Sequence, residues 1–116
     1  MQYVALIHGS EAHWESLGDE ERQAVYARYI ELFGEDDRVI GGGELQSAKT
    51  ATTLRVRNGD RLVTDGPYAE VKEVLGGYIV LECDSIDEAC QLAAKMPGAE
   101  HHSAIEVRPV YVGKEN

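Results

Sequence analysis

Basic side chains are scarce in this chain: eleven Lys and Arg stand against twenty-one Asp and Glu in 116 residues, a formal net charge of −10. A field of that sign repels phosphate backbones and anionic lipid, so neither nucleic acid nor a membrane surface is an expected partner. Cysteine is nearly as thin. Cys83 and Cys90 are the only two, and their spacing fits neither a disulfide framework nor a zinc cluster. Both are expected as small buried hydrophobes in a reducing compartment, Cys83 at a strand end and Cys90 inside the next helix. Long apolar runs are absent as well. The opening MQYVALIHGSE holds one five-residue apolar run and no basic leader, which does not suit a secretory signal. No segment approaches the ~20 apolar residues of a membrane span. The expectation is a cytoplasmic protein.

Hydrophobic residues at 43% and charged residues at 28% describe an ordinary globular chain, and the length suits a single domain over 1–116 that needs no metal or disulfide staple. Tyr3–Ile7 is a short apolar run ended by His8-Gly9-Ser10, a buried strand. After a polar link carrying His13 and Trp14, the period changes: Val25, Tyr29, Leu32 and Phe33 recur at helical spacing from about Asp19 to Asp36. Asp19, Glu20 and Glu21 crowd the first turn, where negative charge complements the helix dipole. Val39 to Leu45 reads as a strand kinked at Gly41-Gly42-Gly43, since three glycines imply a bulge or the close approach of another backbone or a ligand. Thr52–Arg57, Asn58-Gly59 and Asp60–Thr64 form a hairpin about a type I′ turn, with Leu54 opposite Val63 and an ion pair expected between Arg57 and Asp60. Gly77–Cys83 is the strongest strand. Ser85 and Glu88 make a capping box for a helix whose stripe is Ile86, Ala89, Cys90, Ala93 and Met96, stopped by Pro97-Gly98. Ala104–Arg108 is the last strand.

The order β-α-β, hairpin, β-α-β is that of an α+β, ferredoxin-like split βαβ fold with an inserted β-hairpin and both helices on one sheet face. Nothing remains in the chain to cover the other face, so a second copy is expected there, joined symmetrically as a homodimer.

The densest cluster of chemistry is Asp65-Gly66-Pro67-Tyr68, followed by Glu70, Lys72, Glu73 and Gly76-Gly77-Tyr78. Charged groups on a short loop between rigid strands are where binding and catalytic residues tend to sit. Asp65 has two readings: a turn residue beside Gly66, or a carboxylate acting as general acid/base or polar anchor. Lys72 is its expected charge partner, Glu73 the inward partner of Lys72, and Tyr68 either a hydrogen-bond donor or a cover for the core. Glu44, just past the glycines, is either exposed at a bulge or pointed into a cleft. His8 ends the first strand as a proton shuttle or a satisfied polar cap. His101-His102 is a poor metal pair, because adjacent residues on an extended chain point apart, and neither a metal nor a cofactor is expected.

The run from Asp65 to Tyr78 resembles the signature of the DGPF family, a branch of the YCII-related superfamily, in which DGPF or DGPY precedes an acidic residue, K-E and G-G-[YF]. Met1–Glu11, Gly42-Gly43-Glu44-Leu45, Ala51–Arg57 and Ile105–Pro109 also match it. The resemblance implies a ferredoxin-like domain that dimerises through its sheet, similar to the dimeric α/β-barrel proteins. Some members are encoded beside extracytoplasmic-function sigma factors. Related YCII proteins include dehydrochlorinase-like enzymes with a His-Asp pair whose histidine lies on the first helix; no His occurs between Asp19 and Asp37, so that pair does not carry over and Asp65 with its loop is what remains.

Taken together, the sequence points to a small dimeric protein that binds, and on one reading transforms, a small molecule between the sheet and the 65–77 loop. Asp65 and His8 are the catalytic candidates, and Glu44, Tyr68, Lys72 and Glu73 the binding candidates. The alternative is a non-catalytic dimeric interaction module, such as a partner in a sigma-factor regulatory system, and whether any reaction is catalysed stays open.

Overall fold

The computed structural model describes residues 1–99 and 103–113. In chain order the elements are β1 (Gln2–Gly9), α1 (Glu11–Ser16), α2 (Asp19–Glu35), β2 (Val39–Glu44), β3 (Thr52–Arg57), β4 (Asp60–Asp65), β5 (Val74–Glu82), α3 (Ile86–Ala93) and β6 (Ser103–Pro109). The main sheet has the order β2-β5-β1-β6, and every neighbouring pair in it is antiparallel. This mixed α+β architecture is compatible with the ferredoxin-like arrangement. β3 and β4 form a separate two-stranded ribbon.

Strand alternation sorts the sheet into two unlike faces. Tyr3 and Ala5 of β1 stand opposite Leu81 and Ile79 of β5, and all four are buried with Cys83 against Ala89, Leu92, Ala93 and Met96. Tyr29 and Leu32 of α2 pack on the same cluster, so both long helices share one side. The other face carries Val4, Leu6, Leu75, Tyr78 and Val80, none of them buried. The molecule is only 19 Å thick along its shortest axis, the depth of one sheet and one helix layer at ~10 Å each.

Local chemistry explains most boundaries. Ser10 caps α1 by accepting from the His13 amide, so the segment expected as a polar link is a helix of six residues. Glu21 reaches back to accept from the Gly18 amide at the start of α2. Ser85 caps α3 by accepting from Glu88 N. Glu88, however, accepts from the Asp84 amide, one residue before the position a reciprocal box requires, because its other oxygen takes Arg38 Nη1 at 2.9 Å. The buried side of α3 runs Ala89, Leu92, Ala93. Cys90 lies one step round the helix and is exposed, which corrects its expected burial, whereas Cys83 is buried and its thiol pushed up by desolvation.

The glycine strand has a specific cause. β2 shifts register between Val39 and Gly41, and Gly42 takes φ +151° with its backbone so close to β5 that a Cβ would sit 2.5 Å from the Tyr78 carbonyl oxygen. At the ribbon tip Asn58 (φ 52°) and Gly59 (φ 82°) both take positive φ, the requirement of a type I′ turn. Leu54 faces Val63 and Arg57 faces Asp60. Arg57 donates to the Val56 carbonyl instead, and no ion pair joins it to Asp60 among the described residues, since a fully solvated pair gains too little to fix two long side chains.

No helix among the described residues is long and apolar enough to cross a membrane.

Two outcomes follow for stability. Gly42→Ala should lower unfolding free energy by roughly 2 kcal/mol or more, because it combines a strained φ with a backbone collision. In Gly43→Ala the new Cβ would only touch the Tyr78 ring at 3.4 Å, so a loss below about 1 kcal/mol is expected; urea titration of both variants tests the contrast. The second concerns acid. Arg38 grips Asp36 through two hydrogen bonds, at 2.9 and 2.7 Å, and holds its carboxyl down to about 2. A folded value below the unfolded ~3.9 means stability is fully present above that pH and is lost as pH falls toward 2. Arg38→Met should therefore flatten the loss of urea midpoint between pH 4 and 2.

Candidate functional site

The helix layer does not seal onto the whole sheet. α2 has no fully buried residue, and beneath it the helix-facing positions of β2 and β5 include Gly42, paired with Ile79, and Gly77, paired with Glu44. A floor without side chains under a raised helix leaves a hollow, and a cavity of about 540 Å³ lies there. Ile7, Gly42, Gly77 and Ile79 contribute to its floor, while Trp14 of α1 and Val25, Tyr26, Tyr29, Ile30 and Phe33 of α2 line the helix side. A Cβ at Gly77 would be tight, 3.1 Å from the Gly43 carbonyl oxygen, and would touch Ile7 Cδ1 at 3.6 Å.

The polar features of this hollow are few and tied down. Tyr26 donates its hydroxyl hydrogen to Glu44 Oε1 at 2.9 Å, and desolvation followed by that hydrogen bond pushes the phenol up. Trp14 meets Tyr26 edge to face, with centroids 5.5 Å apart. Tyr29 accepts from the Gly98 amide, fixing α2 to the turn after α3. Glu11 accepts from Ser47 Oγ at 3.0 Å and Ala48 N at 2.5 Å, which latches α1 to the segment entering the ribbon.

The structure separates the residues singled out from sequence. Glu44 is exposed and stands at the edge of the cavity, so both of its readings meet there. Lys72 and Glu73 line a second, more open hollow beside it with Ser10, Glu11, His13 and Ser103. Asp65 is exposed at the end of β4, opposite Thr52, and lines neither hollow. No ion pair joins it to Lys72 among the described residues. Tyr68 is 81% exposed and neither covers the core nor faces the cavity. The turn after Asp65 has a role of its own: Gly66 takes φ +102°, donates to the Ala51 carbonyl at 2.7 Å and accepts from Thr53 Oγ1 at 2.7 Å, closing the base of the ribbon.

His8 sits on the opposite sheet face, because alternation that turns Ile7 toward the helices turns His8 away. Its Nε2 lies 3.1 Å from Glu106 Oε1, and Arg108 first, then His8, pull the Glu106 carboxyl below its usual range. The hollow along the 65–77 loop is the more open one, bordered by Val71, Lys72, Glu73 and Val74, while the more enclosed cavity lies under α1 and α2, where Val74, Gly76 and Gly77 of that loop reach it. His101 and His102 lie outside the described residues.

Sequence reasoning passed over Tyr26 and gave Trp14 no binding role. Tyr26 stands three residues before Tyr29 on the flank of the apolar stripe, and Trp14 is on the helix that was taken as a link. The available signal was Ser10, a good N-cap residue four positions before the only tryptophan.

The model of the YCII-related domain matches residues 1–114. An uncharacterized protein of Rhizobium meliloti (strain 1021) is 34% identical over 122 residues, covering 98% of this chain and 95% of that protein. A match running over nearly the whole chain, supported by a relative of almost equal length, places the protein in the family of the YCII-related domain.

Proposed function

We propose that this protein is a homodimeric small-molecule-binding protein of the DGPF branch, with its binding site in the hollow between α1, α2 and the glycine floor. The observation that carries this reading is the cavity itself. Its volume of about 540 Å³ falls within the range of ligand pockets, roughly 300–1,000 Å³, which are mostly apolar with a few placed polar groups. Glu44 is the polar anchor. Lys72 and Glu73 flank the neighbouring opening, and Asp65 acts with Gly66 and Pro67 in holding the ribbon base. The run Asp65–Tyr78 supports the branch assignment.

A homodimer is supported by the uncovered sheet face. Val4, Leu6, Leu75, Tyr78 and Val80 form an apolar strip bordered by His8, Glu106 and Arg108, and monomers seldom leave a broad apolar face to water. Two such faces, related by a twofold axis, cover one another. The second reading, a non-catalytic interaction module, is favoured by the ribbon. Leu54, Val56 and Val63 share one of its faces and are 57%, 55% and 63% exposed. A lone two-stranded ribbon is marginal in water, so this face suits burial against a partner protein.

Light scattering on the wild type should give twice the monomer mass of 12.8 kDa. Leu6→Lys, which places a charge at the centre of the proposed contact, should weaken dimerisation by roughly 100-fold or more; a monomeric wild type would overturn this part of the reading. For the pocket, Nile red should bind at one site per chain with a blue-shifted emission. Val25→Trp, which fills the hollow from α2, should reduce that affinity about tenfold while the melting temperature stays within a few degrees. Unchanged binding in Val25→Trp would move the site elsewhere.

A further inference from the structure

The carboxylates around the cavity outnumber its basic groups. Among the described residues Glu11, Glu15 and Glu44 line it together with His13, and no Lys or Arg does. Of the nearby cations, Lys72 lines the adjoining hollow and Arg22 is turned away: its guanidinium donates to the Trp14 and Glu15 carbonyls at 3.3 and 3.0 Å, at the C-terminal end of α1. Glu11 has both oxygens engaged by Ser47 and Ala48. Glu44 is different. One of its oxygens takes the Tyr26 hydroxyl, and the other accepts no protein hydrogen bond among the described residues.

Aromatic rings gather at the same place. The chain has one Trp, six Tyr and one Phe, and Trp14, Tyr26, Tyr29 and Phe33, half of them, line the helix side of the hollow. Ring faces carry negative electrostatic potential and attract cations, most strongly where water is excluded. An aromatic wall beside an exposed carboxylate with one oxygen open to a ligand is the chemistry that selects an organic cation. An anion would meet repulsion from three carboxylates and from the −10 charge of the whole chain.

We propose that the cavity is a binding site for organic cations, specifically molecules with a substituted ammonium group on an apolar body. The ammonium faces Glu44 and the Tyr26–Trp14 pair, and the apolar body lies over Gly42, Gly77 and Ile79. Tyr26 orients Glu44 by donating to one oxygen and leaves the other for the ligand. This inference rests on the cavity being the binding site, and it adds the sign of the charge that the site prefers.

The test uses three probes of similar shape, each displacing Nile red from the full chain: phenyltrimethylammonium, its neutral isostere tert-butylbenzene, and benzoate. Phenyltrimethylammonium should bind at least tenfold tighter than tert-butylbenzene, and benzoate should not compete. Glu44→Gln should remove most of the tenfold preference while leaving tert-butylbenzene affinity unchanged, and Trp14→Leu should lower affinity for the cation. Glu70→Gln, a change of equal charge on the exposed loop, should have no effect. Equal binding of the cation and its isostere, or an equal loss in Glu70→Gln, would overturn the proposal while leaving the pocket in place. Failure of Nile red itself to bind would remove the pocket reading and this one with it.

Discussion

The close passage of two backbones, β2 over β5, is the constraint on which the rest of the molecule depends. At Gly42 the strands approach so tightly that no side chain fits beneath the Tyr78 carbonyl, and at Gly77 a side chain would press on the Gly43 carbonyl, 3.1 Å from its Cβ. Both positions face the helix layer. The residues that let the edge strand pair with the sheet therefore also strip the floor of side chains, and α2 rests at a distance set by Tyr29 and Leu32 where they meet the core. The hollow is a by-product of strand pairing that the aromatic side of α2 has been fitted to.

Much of this architecture was legible from residue patterns because local and long-range preferences agree. The alternation along β1 and β5, the helical period of Val25, Tyr29 and Leu32, and the Asn58-Gly59 turn each admit few alternatives. Reading failed where one short segment or one degree of rotation decided the outcome. α1 has six residues, too few for a period to show, and only its cap betrays it. Cys90 shares an apolar stripe on paper but stands just beyond the buried side of α3. The cavity could not be read at all, since it arises from the height of α2 above a strand that is distant in sequence.

Asp65-Gly66-Pro67-Tyr68 shows how a conspicuous motif divides its duties. Gly66 supplies a positive φ that few other residues tolerate, and its two hydrogen bonds to Ala51 and Thr53 close the ribbon. Tyr68 points to solvent. The charge-rich loop beyond it contributes Lys72 and Glu73 to the margin of the hollow, while the residue facing inward with an oxygen to offer is Glu44, contributed by a different strand.

Glu11 gives these parts a mechanical relation. Its carboxylate is fastened to Ser47 and Ala48, the point from which the chain departs into the ribbon, while its helix carries Trp14 into the wall of the hollow. The root of the ribbon and the tryptophan wall are therefore tied together through one carboxylate. Through a single latch, the position of the ribbon and the shape of the chamber become reciprocal.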